Sequence, residues 1–157
     1  MLVRLYALPG LDDAVAACAE REVTIRCALA PEKHAVLDWV RTHFASSVAE
    51  VETAFAQVPA TCFIAVRDNA MLGFACYDVT CSNFFGPEGV AMEERGRGIG
   101  RALLLAALHA QRVQGYAYAI IGGVGPAEFY ATTVGAVAIA GSTPGIYSAM
   151  LAQKPSD

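Results

Sequence analysis

Apolar residues recur along this chain in two rhythms, and the rhythms alternate. Val23-Thr24-Ile25-Arg26-Cys27-Ala28 steps in twos and is β-branched, which predicts a strand. Residues 3–8 alternate more weakly and predict an earlier strand, closed by Pro9-Gly10. Between them, residues 11–21 begin with Asp12-Asp13 and run rich in alanine, a short helix. Pro31 then opens a helix at its first position, and Val36, Leu37, Val40 and Phe44 repeat at helical spacing. Ser46-Ser47 ends it, and a second helix follows over residues 48–56 with Val51 and Phe55 inward.

The rhythm of two returns with residues 61–67, a strongly apolar strand. Asp68-Asn69 turns the chain into residues 71–80, which predicts a hairpin. Phe84-Phe85 precede Gly86-Pro87, and residues 89–92 read as a short strand. A glycine-rich bend comes next, then a helix over residues 98–114. That helix is apolar on nearly every face until His109, Gln111, Arg112 and Gln114, and Gly115 stops it. Residues 116–121 form a buried strand, residues 122–125 a loop and residues 126–133 a short helix. Residues 136–140 and 147–151 read as two last strands separated by Gly141-Ser142-Thr143-Pro144-Gly145, with 154–157 a loose tail.

Composition agrees with a sheet covered by helices. Of 157 residues, 55% are hydrophobic and 17% charged, enough for one domain spanning 1–157 with a large core. The net charge of −4 and the lack of any basic run disfavour nucleic acid as a partner. No apolar run approaches the roughly 20 residues of a membrane span, and Asp12-Asp13 interrupt any signal-like start. The five cysteines form no Cys-x-x-Cys, and the three histidines are scattered, so no metal is expected. Small buried thiols fit a reducing cytoplasm.

The bend itself is Arg95-Gly96-Arg97-Gly98-Ile99-Gly100-Arg101, between a strand and a helix. Its alternating glycines leave backbone amides uncovered, and a helix start attracts anions. A Walker loop would need Gly-Lys-Ser/Thr where Ile99-Gly100-Arg101 stands. A dinucleotide fingerprint would need glycine at Arg101 and an acid in the next strand, and both are missing. The segment from Arg95 to Gly100 resembles instead the Gln/Arg-x-x-Gly-x-Gly/Ala loop of the GNAT superfamily, the acyl-CoA-dependent N-acyltransferases. The apolar flanks before it and at Ala102-Leu103-Leu104 share that resemblance, as does the order of elements from about residue 61 to 147.

The resemblance implies an α+β fold in α/β/α layers, with a mixed, mostly antiparallel sheet of six to seven strands. It implies acetyl-CoA as co-substrate and a primary amine, of a small molecule or a peptide, as acceptor. Backbone amides of Arg97, Gly98, Ile99, Gly100, Arg101 and Ala102 would hold the pyrophosphate. Arg95, Gly96, Arg97 and Arg101 complete the loop. Val90, Ala91 and Met92 would line the pantetheine arm. Glu93 and Glu94 are expected to face solvent. Phe129-Tyr130 and Gly135-Ala136 match a second GNAT landmark, while Gly123 replaces its usual Asn and Pro126 its Ala. Tyr130 is the implied proton donor to the departing thiolate. Glu88 is the first candidate for general base and Asp78 the second. Trp39, His43 and Tyr147, from residues 31–56 and 141–147, are candidates to line the acceptor pocket. A non-catalytic acyl-CoA-binding module of the same fold, and a nucleotide-binding oxidoreductase, are the competing classes. Pairing of the last strands between two copies would make a homodimer.

Overall fold

The computed structural model describes residues 1–151. Six strands form one sheet: β1 (Leu2–Arg4), β2 (Thr24–Cys27), β3 (Cys62–Arg67), β4 (Ala70–Tyr77), β5 (Phe84–Val90) and β6 (Tyr118–Ile121). Their order is β1-β6-β5-β4-β3-β2, antiparallel throughout except for the parallel pair β5 and β6. Helices α1 (Asp12–Ala19), α2 (Lys33–His43), α3 (Val48–Ala54), α4 (Ile99–Val113) and α5 (Ala127–Val134) complete the chain.

The period of two sorts side chains onto the two faces. Ala65, Ala75 and Tyr77 point towards α1, α4 and α5, whereas Cys62, Ile64, Phe74 and Cys76 point towards α2 and α3. The expected α/β/α layering is therefore present. Helix α4 is the central element of one face, buried from Ala102 through Leu108, which explains why no polar stripe runs along its sequence. Its one buried polar side chain, Gln111, donates through Nε2 to Asp78 Oδ1 at 3.1 Å and to the Phe84 carbonyl at 3.2 Å.

Two expectations about strands need correction. The strand expected at residues 89–92 begins earlier, at Phe84, and ends at Val90; Met92 lies in a 3₁₀ turn, Met92–Glu94. Gly86-Pro87 lies inside this strand, where the β4–β5 register skips between Glu88 and Phe85. A bulge tolerates a proline that has no N–H for the ladder. The two last strands do not form. Among the described residues, only Val137 joins the sheet, exchanging two backbone bonds with Leu2. Strand β1 already occupies the side of β6 where they would pair, and Gly141 and Gly145 take positive φ in the loop between them. The dimer interface drawn from those strands accordingly lacks its strands.

Candidate active site

β5 and β6 are neighbours for two residues only, Phe84 opposite Ile120 and Phe85 opposite Ile121. β6 then ends, while β5 continues to Val90 with no strand on that side. Such a gap exposes one edge of backbone at the middle of the sheet. A cavity of about 500 Å³ opens there, walled by β5, the glycine bend, Phe44 and the start of α5.

The bend is built as its glycines require. Gly96 and Gly98 have φ of 75° and 84°, a left-handed conformation that glycine adopts without strain, and Gly98 is the N-cap of the fifteen-residue α4. The amides of residues 96–101 find no backbone acceptor among the described residues; the first bond of the helix is the Ala102 amide to the Gly98 carbonyl at 3.1 Å. Six amides are thus without an acceptor ahead of the positive end of α4, and all their residues but Arg97 line the cavity. Ala102, expected among the gripping amides, is instead committed to the helix and fully buried.

Glu94 departs from its expected exposure. It is 6% exposed and accepts bonds from Arg67 Nη2 at 2.5 Å and Arg97 Nη1 at 3.1 Å. It ties the bend to the end of β3, and Arg21 Nη1 adds a bond to the Arg97 carbonyl at 2.7 Å. Glu93 is exposed, as expected. The Arg67 hydrogen bond holds the Glu94 carboxyl below its ordinary range. Its stabilising contribution is therefore present above the unfolded carboxylate pKa and fades as pH falls through the depressed folded value. Glu94→Gln should melt about 2–4 °C below wild type near neutral pH, and the difference should shrink as pH falls, because it removes the charge that Arg67 and Arg97 hold.

Glu88 lines the cavity. Its Oε2 accepts a hydrogen bond from the Tyr130 hydroxyl at 3.5 Å, and its Oε1 is shielded from solvent with no partner. Burial pushes the Glu88 carboxyl up to about 8, only partly offset by the Tyr130 bond. Burial, then the neighbouring Glu88 charge, pushes the Tyr130 phenol up as well. Tyr130 itself is packed between Phe85 and Phe129, edge-on to both rings. A second cavity, about 340 Å³, lies beyond the pair and shares Glu88, Pro126 and Tyr130 with the first. The carboxyl and the phenol thus sit where two cavities meet. A larger cavity, about 670 Å³, lies around Met1, Phe84 and residues 142–147, away from both groups.

Of the residues singled out in the sequence, Val90, Arg95, Gly96, Gly98, Ile99, Gly100, Arg101, Glu88 and Tyr130 border the first cavity. Ala91 is buried beneath it, and Met92 is 79% exposed outside it. The Val90 carbonyl already accepts from Arg95 Nε at 3.1 Å. Asp78 does not reach either cavity: it accepts from the Asn83 amide and Gln111, holding the turn into β5, and it drops out as a base. Tyr147 lines the second cavity, but Trp39 and His43 stack on each other away from it. Phe44 is the wall that sequence reasoning missed. Its ring lies so close to Gly89 that a Cβ there would come within 2.6 Å of it. The spacing of Phe44 matches a core stripe, and nothing in it marks a cavity. Glu50 also lines the second cavity, unsignalled by any motif. Among the described residues, no group of three or more His, Cys, Asp or Glu is placed to hold a metal ion, and no helix is long and apolar enough to cross a membrane.

No family model and no curated protein matches the sequence. Solved structures do match the fold. A GCN5-related glucosamine N-acetyltransferase region of a fungal multi-domain GH3 β-N-acetylglucosaminidase superposes on 85% of the chain with a TM-score of 0.70 at 14% identity; the match spans only 19% of that enzyme. An acetyltransferase assigned to the GNAT family from Xanthomonas campestris matches 81% of the chain and 97% of its own length, with a TM-score of 0.55 at 19% identity. An aminoglycoside acetyltransferase from an uncultured soil metagenomic sample, solved with trehalose, matches 73% of the chain and 88% of its own, with a TM-score of 0.56 at 13% identity.

Proposed function

The chain has the GNAT fold, and on that premise we propose that it transfers an acetyl group from acetyl-CoA to a primary amine by direct attack. The observation that carries this reading is the row of uncommitted amides at residues 96–101, ahead of a fifteen-residue helix. A diphosphate satisfies several such donors at once, and Arg95 and Arg101 border the same cavity. The residues present therefore fit the co-substrate: the bend for its diphosphate, the free edge of β5 for its extended arm. Bound there, acetyl-CoA supplies the activated acetyl group.

The chain's own groups then handle two protons. Glu88, ionised, takes one from the acceptor ammonium, so that the nitrogen lone pair can attack the thioester carbonyl. Tyr130, whose raised pKa keeps it protonated at neutral pH, gives one to the sulfur as the carbon–sulfur bond breaks, and regains one, the second proton that the acylated nitrogen sheds on becoming an amide. The apolar surroundings of Phe44, Phe85 and Phe129 exclude water that would compete with the amine.

Two measurements test the proposal together. Acetyl-CoA should raise the melting temperature with concentration, by about 2–4 °C or more at saturating levels, whereas NAD should not. Free thiol should appear when acetyl-CoA and a panel of primary amines are both present. Stabilisation without thiol release would favour the non-catalytic acyl-CoA-binding module, and stabilisation by NAD alone would overturn the proposal.

A further inference from the structure

We propose that Glu50 selects acceptors with a second positive charge, small diamines and polyamines, by holding the distal ammonium while the other amino group reacts beside Glu88. This rests on the acetyltransferase reading and names its acceptor class.

The second cavity, about 340 Å³, has an unusual electrostatic lining. Two carboxyl groups, Glu50 and Glu88, and two phenols, Tyr130 and Tyr147, line it, and among the described residues lining it there is no Lys, Arg or His. Glu50 sits in the first turn of α3. Its one polar contact is the Thr80 hydroxyl, which donates to Oε1 at 2.5 Å, and it takes part in no ion pair among the described residues. That neutral bond orients the carboxylate but leaves its charge uncompensated. Glu88 contributes independently: its Oε1 is buried in the same place with no donor. A ligand with one amino group answers the need at Glu88 alone. A ligand with two answers both, since the distal amine stays protonated near neutral pH, as an alkyl ammonium with a pKa near ~10 must. Tyr147 stands against Gly122, where its hydroxyl blocks any added side chain, and burial, then the Glu50 charge, pushes its phenol up. The cavity is too small for a bulky macromolecule and large enough for a short aliphatic chain.

The test compares 1,4-diaminobutane with butylamine. Thiol release gives kcat/KM for each, on the wild-type protein and on Glu50→Gln, whose fold is checked by melting and by its affinity for acetyl-CoA. The wild type should prefer the diamine by about tenfold or more, the scale of a charge pair in a partly shielded site. Glu50→Gln should reduce that preference to within about threefold, through a higher diamine KM rather than a lower kcat, and Glu50→Asp should restore part of it. No preference in the wild type, or an equal loss for both amines in Glu50→Gln, would overturn the proposal. Calorimetric binding of 1,4-diaminobutane to both proteins reads the Glu50 site without turnover. Binding that depends on Glu50 in a protein that releases no thiol would support the cation site and contradict the acetyltransferase reading; no dependence on Glu50 would contradict the cation site whatever the activity.

Discussion

Glu88→Gln should lower kcat about 10²- to 10³-fold, the usual scale for removing a general base, while acetyl-CoA still binds. The expectation follows from where the carboxyl sits: at the junction of two cavities, with one oxygen accepting from Tyr130 and the other unpartnered. The pH profile gives the sharper readout. With the Glu88 carboxyl pushed up to about 8, kcat/KM should climb as pH rises through that value, and the climb centred there should vanish in Glu88→Gln. Stability should move the opposite way. A carboxyl whose folded pKa lies above its unfolded one binds its proton more tightly in the native state, so stability falls as pH rises from 4.5 through about 8. Glu88→Gln should flatten that decline and melt higher than wild type at pH 9. Tyr130→Phe should lower kcat by a smaller factor, about 10- to 100-fold, and leave the stability decline in place.

Gly98→Val should weaken acetyl-CoA binding about tenfold or more. Gly98 is the left-handed N-cap of α4, at φ 84°, and nothing crowds the position a Cβ would take. The penalty is therefore conformational: a β-branched residue disfavours that φ by about 1–2 kcal/mol and re-aims the amides on either side. Those amides are the ones that find no acceptor in the protein, so their direction matters to a ligand and little to the core. Melting should drop only modestly, and an arginine-only account of anion binding would predict almost no loss of affinity. Isothermal titration on Gly98→Val and on an Arg101→Gln control separates the two: the first should lose the larger factor.

Local features of the chain made the bend legible. Glycine spacing, an apolar run before and a helix after are all contiguous in sequence, and the elements from residue 61 to 134 follow the expected order. The positions of Tyr130 and Glu88 at the cavity were legible for a similar reason, each lying next to a readable element, while their roles stand as proposals. Features set by distant contacts were not. Glu94 reads as one of two surface acids until Arg67, twenty-seven residues earlier, is seen to approach it. Phe44 and Glu50 fit ordinary helical patterns, and only the packing of α2 and α3 across the sheet brings them to the cavities. The last strands are absent among the described residues: residues 2–4 pair with β6, and only Val137 bridges to them, at Leu2.

The most direct measurement is calorimetric titration of acetyl-CoA into the folded wild-type protein at low salt. The account predicts one site per chain with a Kd between about 1 µM and 1 mM, weakened in Gly98→Val and kept in Glu88→Gln. A wild-type protein that melts cooperatively yet takes up neither acetyl-CoA nor free coenzyme A would contradict it.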